Sequence, residues 1–263
     1  MSAAAPDVIP VAWMGGSFSP PTKAHLQVIL AIGNTMRELH PGKLSYVCVV
    51  PVSQKYPKKS IQCATIYQRK HIMDAFIKLV QDEAVAMGIL TTEVEFKFMV
   101  YEMNDKKEGG VKTYDSLKIL KDIFEPAYPG KEIKLYIAQG QDNIEKIKDW
   151  YMPEEVKKYP MLVFPRGDAA VVQEGLDLTT IKGIPGGFTE GVSSSAVRKL
   201  FQAGTVEKAN EMLNAEIIRA LEEVGNPYKN SECEENNKGG GYRRKTRSKA
   251  VRKSRRSRKL RKH

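Results

Sequence analysis

Cysteine is scarce in this chain. Cys48, Cys63 and Cys233 are widely spaced and odd in number, with no CxxC pair and no Cys/His cluster at zinc spacing. A disulfide framework and a structural zinc are therefore not expected, and a reducing interior compartment, nucleus or cytoplasm, fits the usage. No apolar run approaches the ~18 residues of a membrane span, so no membrane partner is expected. Met1 to Val8 lacks the basic start of a secretory signal. Neither the P-loop pattern GxxxxGK(S/T) nor GxGxxG occurs, so a phosphate site here must be built differently.

Acidic residues are missing from one stretch only. The net charge is +11, yet Lys238–His263 holds 14 of the 42 basic residues and no acid, leaving 28 basic against 31 acidic in the rest. A mildly acidic body therefore carries a separate basic tail, and the two need separate arguments. Residues 1–228 read as one α/β domain. Residues 229–263 are polar, contain Gly239-Gly240-Gly241 and then become densely basic, so no fold is assigned to them. Residues 243–262 are a candidate polyanion or nucleic-acid segment acting by counterion release, or a nuclear-localisation signal. A solvated tail with no dedicated partner is the alternative.

Apolar and β-branched runs predict strands at Val8–Met14, Leu44–Val50, Glu93–Tyr101, Ile133–Ala138 and Met161–Phe164. Between them, helical spacing predicts Lys23–Leu39, with Ala24, Val28, Ile32 and Met36 on one face, then Tyr67–Leu79 and Tyr114–Phe124. Ser195–Gln202 and Val206–Val224 follow as the last helices. Strands alternating with helices imply a Rossmann-like, doubly wound parallel sheet with flanking helices and a small C-terminal helical part. Ligands bind such sheets at the carboxyl ends of the strands, where Gly15–Pro21 and Gly140–Asn143 fall.

Two segments carry phosphate chemistry. Gly15-Gly16-Ser17-Phe18-Ser19-Pro20-Pro21-Thr22 leaves a strand and enters a helix with Thr22 as the N-cap, which puts His25 in the first turn. Glycine admits a phosphate closely, and the free N–H groups there favour an anion. Val192-Ser193-Ser194-Ser195-Ala196-Val197-Arg198 opens a second helix, where hydroxyls cap the N–H groups or meet phosphate oxygens and Arg198 reaches back to the same anion. Either segment alone is more often an ordinary helix cap.

Together, and in this order, they resemble the signatures of the nucleotidylyltransferase superfamily: Gly-x-Phe-x-Pro-x-(His/Thr)-x-x-His and Ile-Ser-Ser-Thr-x-x-Arg. Pro51-Val52-Ser53-x-x-Tyr56-x-Lys58-Lys59 resembles a segment of eukaryotic-type nicotinamide mononucleotide adenylyltransferases. Thr113-Tyr114-Asp115-Ser116-Leu117 resembles one in the bacterial nicotinate mononucleotide enzymes. Gly140-x-Asp142 followed by Trp150, the turn Arg166-Gly167 and the closing Asn214–Tyr228 are also similar to the mononucleotide enzymes. Arg69 resembles an arginine of the helix after the lysines, at a spacing one residue longer than in the family.

The resemblance covers roughly residues 8–228. It implies attack of a mononucleotide 5′-phosphate on the α-phosphate of ATP, with Mg2+ bridging the ATP phosphates. It implies His25, Thr22 and Arg198 as catalytic residues. Gly16, Ser17, Phe18, His25, Gly140, Asp142, Ser193, Ser194 and Arg198 would bind ATP, and Lys59, Thr113, Trp150 and Arg166 the mononucleotide. No protein metal site is implied, and a homo-oligomer is expected. Two other readings stay open: another nucleotidylyltransferase, of pantetheine-phosphate or cytidylyl type, and a non-enzymatic adaptor that works through its basic tail.

Overall fold

Six strands, all paired in parallel, make the sheet of the computed structural model, which describes residues 7–165, 175–181, 183 and 191–229. The Arg166 turn, the Lys59 side chain and the basic segment lie outside the described residues. The strands are β1 (Val8–Gly16), β2 (Ser45–Pro51), β3 (Val94–Phe98), β4 (Glu132–Gly140), β5 (Met161–Phe164) and β6 (Leu178–Thr180). Their order in space is β3-β2-β1-β4-β5-β6. Connections run one way from β1 through β2 to β3 and the other way from β4 onward, so a crevice opens above the carboxyl ends of β1 and β4.

Alternation along the central strands builds two cores, because successive side chains point to opposite faces. Val11 and Trp13 of β1, Cys48 and Val50 of β2, and Leu135 and Ile137 of β4 join one buried cluster. Ala12 and Met14, Val47 and Val49, and Tyr136 and Ala138 join the other. Burial on both faces is why these strands read as continuous apolar runs.

The second cluster is roofed by α1 (Lys23–Leu39) and α3 (Ile66–Ala86), with a short α2 (Lys59–Gln62) between them in sequence. The first is roofed by α4 (Thr113–Phe124), α5 (Gln141–Ile144) and α6 (Pro153–Val156). Helix α1 has its expected bounds and buries Val28, Ile32 and Met36 along with Leu26 and Ile29, while Ala24 is only half-buried. Each such aliphatic side chain contributes about 1.5–3 kcal/mol by leaving water.

The C-terminal part departs from the periodicity. Helix α7 (Ser194–Gln202) is followed by two helices, α8 (Val206–Glu211) and α9 (Ala215–Glu223), in place of one continuous helix. The break has a tertiary cause: the Met212 carbonyl accepts the backbone N–H of Lys23 at 3.2 Å, and Asn214 turns extended to start α9. Strand β6 escaped the sequence reading because three residues carry no usable period.

Cys48 is free and fully buried, and burial pushes its thiol pKa up. Among the described residues no helix is long and apolar enough to cross a membrane.

Candidate active site

The turn between β1 and α1 is rigidly specified. Gly16 ends β1, and its carbonyl accepts the N–H of Val52 at 2.9 Å, which ties this turn to the one after β2. A Cβ on Gly16 would lie 2.9 Å from the Phe18 ring, so a larger residue there would force the ring to shift. Phe18 takes a positive φ of 45° and buries its ring beside His25 and Phe76, at centroid distances of 5.1 and 6.4 Å. The Ser19–Pro20 peptide is cis, and Ser19 and Thr22 are fully buried.

Thr22 is the extended N-cap of α1, as expected. Its backbone N–H donates to Nδ1 of His25 at 3.1 Å, and its Oγ1 lies 2.8 Å from the same nitrogen. Nδ1 is therefore an acceptor, the ring proton sits on Nε2, and the imidazole is set as a donor at that atom. Half-buried in the first helical turn, His25 holds this donor where the helix dipole favours an anion.

The second motif closes on the first. Ser193 caps α7, its Oγ accepting the N–H of Ala196 at 3.2 Å. The buried Ser194 hydroxyl donates to the Pro20 carbonyl at 2.7 Å. Arg198, 2% exposed, donates from Nη1 to the Ser19 carbonyl at 2.5 Å and from Nη2 to Ser195 Oγ at 3.0 Å. Segments far apart in the chain thus form one unit.

Gly140 and Asp142 stand at the end of β4, next to β1. Gly140 is the N-cap of α5, and a Cβ there would lie 2.7 Å from Asp142 Oδ1 and 2.9 Å from the Phe164 ring. Asn143 donates to the Gln139 side chain at 3.0 Å, bracing the same corner. Thr113 opens α4 and is half-buried, and Trp150 packs against the α4-side cluster. No hydrogen bond or ring contact among the described residues links either of them to the β1–α1 turn.

Three other polar groups, none assigned a role in the sequence analysis, are buried in the same domain. Arg69, 2% exposed in the first turn of α3, donates to the Val52 carbonyl at 2.8 Å and to Gln54 Oε1 at 3.1 Å. Burial lowers its pKa to about 10, with the Tyr228 phenol acting the other way. Glu102, 3% exposed, accepts a short bond from the Ser116 hydroxyl. Trp13 Nε1 donates to that same hydroxyl at 2.9 Å, and the Tyr101 hydroxyl lies 2.9 Å from it. Burial raises the Glu102 carboxyl to about 7, with Asp105 adding to the rise and Ser116 opposing it. Tyr228, fully buried, is in polar contact with the Ser19 side chain, and burial raises its phenol. Only the resemblance marked Arg69 and Tyr228, and nothing in the local pattern marked Glu102.

Comparisons with known proteins address the family and the fold. The model of the Cytidylyltransferase-like family matches residues 13–200. The probable nicotinate-nucleotide adenylyltransferase of Caldicellulosiruptor bescii is 27% identical over 157 residues, covering 59% of this chain and 65% of the relative. That of Aliarcobacter butzleri is 26% identical over 148 residues, covering 56% and 66%. The matches thus span just under two thirds of these relatives. In fold the chain is similar to Plasmodium falciparum nicotinic acid mononucleotide adenylyltransferase, solved in complex with APC, at a TM-score of 0.59 and 19% identity over 84% of this chain and 98% of that one. The same enzyme in complex with NaAD gives a TM-score of 0.57. With the family model matching most of its length, the chain belongs to the cytidylyltransferase-like family.

Proposed function

We propose that the chain transfers the adenylyl group of MgATP to the 5′-phosphate of a pyridine mononucleotide, releasing pyrophosphate. The observation that carries the reading is the union of both motifs at one turn: Thr22 orients His25, and Ser194 and Arg198 bond the Pro20 and Ser19 carbonyls. The names of the relatives favour nicotinate over nicotinamide.

In this reaction a mononucleotide phosphate oxygen bonds to the α-phosphorus while the bond to the bridging oxygen breaks and pyrophosphate leaves. The nucleophile arrives as an anion, so no general base is needed, and catalysis rests on positioning and charge stabilisation. His25 donates from Nε2 to an α-phosphate oxygen, and Thr22 holds the ring. Arg198, whose fork spans Ser19 and Ser195, sets a positive charge beside the turn for the β- and γ-phosphates, with Ser193 and Ser194. Gly16, Ser17, Phe18, Gly140 and Asp142 complete the ATP site. Lys59, Thr113, Trp150 and Arg166 are assigned to the mononucleotide. Mg2+ enters on the substrate's phosphates.

The test is incubation of the full chain with MgATP and nicotinate or nicotinamide mononucleotide, following pyrophosphate and dinucleotide. Both products with nicotinate mononucleotide support the reading. Pyrophosphate only with pantetheine phosphate, or only with CTP, assigns another nucleotidyl transfer. No pyrophosphate with any substrate returns the chain to a binding role.

A second activity is proposed for the basic segment on its own composition, 14 basic residues and no acid in Lys238–His263. It is a polyanion-binding or nuclear-targeting appendage, separate from the chemistry of the domain.

A further inference from the structure

The loop between β2 and α3 carries Lys58 and Lys59, and its course is dictated from beneath by two side chains. Arg69 reaches up from α3 with both terminal nitrogens: one bonds the Val52 carbonyl at 2.8 Å, the other Gln54 Oε1 at 3.1 Å. Gln54 uses its amide nitrogen to bond the carbonyls of Ile61 at 3.1 Å and Ala64 at 2.8 Å. One guanidinium and one carboxamide therefore tie the start of the loop to its end, on either side of the short helix that Lys59 begins. The loop is also joined to the first phosphate turn, since Val52 N–H donates to Gly16.

Arg69 is a costly choice for this task. Its guanidinium is buried, its acceptors are neutral, and no carboxylate among the described residues acts on it. Removing a cation from water is unfavourable unless an opposite charge answers it. A planar fork matches two acceptors at a fixed separation, which lysine cannot do. A buried cation under a basic loop also prepares that loop for an anion.

We propose that Arg69 and Gln54 are positioning residues for the second substrate, holding the 52–64 loop so that its lysines meet an incoming phosphate monoester. This rests on the reading that the loop seats the mononucleotide. Neither residue touches the substrate; both act through the backbone they hold.

Arg69→Lys keeps the charge and loses the fork, and Gln54→Ala removes the relay while leaving Arg69 in place. For each, and for wild type, KM is measured separately for MgATP and for nicotinate mononucleotide. Backbone hydrogen exchange and thermal melting are recorded on the full chains. Both variants are expected to raise KM for the mononucleotide roughly tenfold, the worth of about one hydrogen bond, while KM for ATP stays within about threefold. Amides of residues 52–64 should exchange faster than in wild type, and those of α1 should not. Because Arg69→Lys can fail to fold, Gln54→Ala decides alone if necessary. Unchanged exchange across 52–64 overturns the positioning role whether or not the chain is active. Faster exchange with an unchanged mononucleotide KM in an active enzyme overturns the link to the second substrate. An equal rise in both KM values with a lower melting temperature reduces the pair to a structural role. A wild type that makes no dinucleotide with either pyridine overturns the proposed reaction, and with it the assignment of this loop to the mononucleotide.

Discussion

Arg198 donates to the carbonyl of Ser19 at 2.5 Å, across 179 residues of sequence. The guanidinium is buried and its second nitrogen holds Ser195, so the helix that ends the family match and the turn that begins it are joined through one side chain. Arg198→Lys should therefore harm structure and function together. The loss is expected to be about 1.5–3 kcal/mol, the range for a hydrogen bond to a charged group, read from urea denaturation, with a drop in kcat/KM for ATP. Wild-type stability in this variant would show that the bond contributes nothing.

His25→Ala removes the Nε2 donor and the acceptor for Thr22 N–H. Turnover should fall about 10²–10³-fold, as for loss of one preorganised donor at a developing charge. The melting temperature should drop by only the few degrees that one helix cap is worth. Turnover within a factor of a few of wild type would remove His25 from the chemistry.

Gly140→Ala tests the corner of β4 by addition. The new methyl would stand 2.7 Å from Asp142 Oδ1 and 2.9 Å from the Phe164 ring, so the carboxylate or the ring must move. Overpacking of this kind costs about 1–3 kcal/mol. If Asp142 serves the adenosine, KM for ATP should rise while KM for the mononucleotide holds. Equal changes in both would assign the corner to stability alone.

The buried Glu102 carboxyl makes stability depend on pH. Its folded pKa is raised to about 7 from 4.5, so the folded state retains a proton that the unfolded chain gives up. The stabilisation is full below pH ~4.5 and is lost as pH rises to ~7, a fall of a few kcal/mol at most. Glu102→Gln should flatten that slope in denaturation curves taken at pH 5, 6, 7 and 8. A slope identical to wild type would mean that Glu102 does not titrate in this window.

The basic tail is tested by truncation at Lys238. Retention on nucleic acid should fall steeply with salt in the full chain and disappear in the truncated one. The truncated protein should keep its adenylyl-transfer rate. Salt-independent retention, or retention unchanged by truncation, would rule out the tail as the binding element.

The geometry of the β1–α1 turn was legible because its signals are local. Thr22 and His25 lie three residues apart, so any helix starting there puts them in one turn, and the structure records them in contact. Gly16 and Gly140 stand where strands end, and ring or carboxylate atoms crowd the place of a Cβ at both. Glu102 and Gln54 gave no such sign. A carboxyl in Tyr101-Glu102-Met103 or an amide in a polar loop looks solvated until a distant hydroxyl or guanidinium arrives.

Sequence alone determined the alternation of strands and helices, the apolar runs of a sheet covered on both faces, and the chemistry available at two helix starts. These follow from periods of two and 3.6 residues and from capping, which need only neighbouring residues. Tertiary structure decided the rest. It placed β4 beside β1, broke the C-terminal helix at Met212 to satisfy Lys23, and brought Ser194 and Arg198 onto Pro20 and Ser19. Those contacts join residues more than 170 positions apart. No local period encodes them, because they exist only after the sheet has set which strand ends are neighbours.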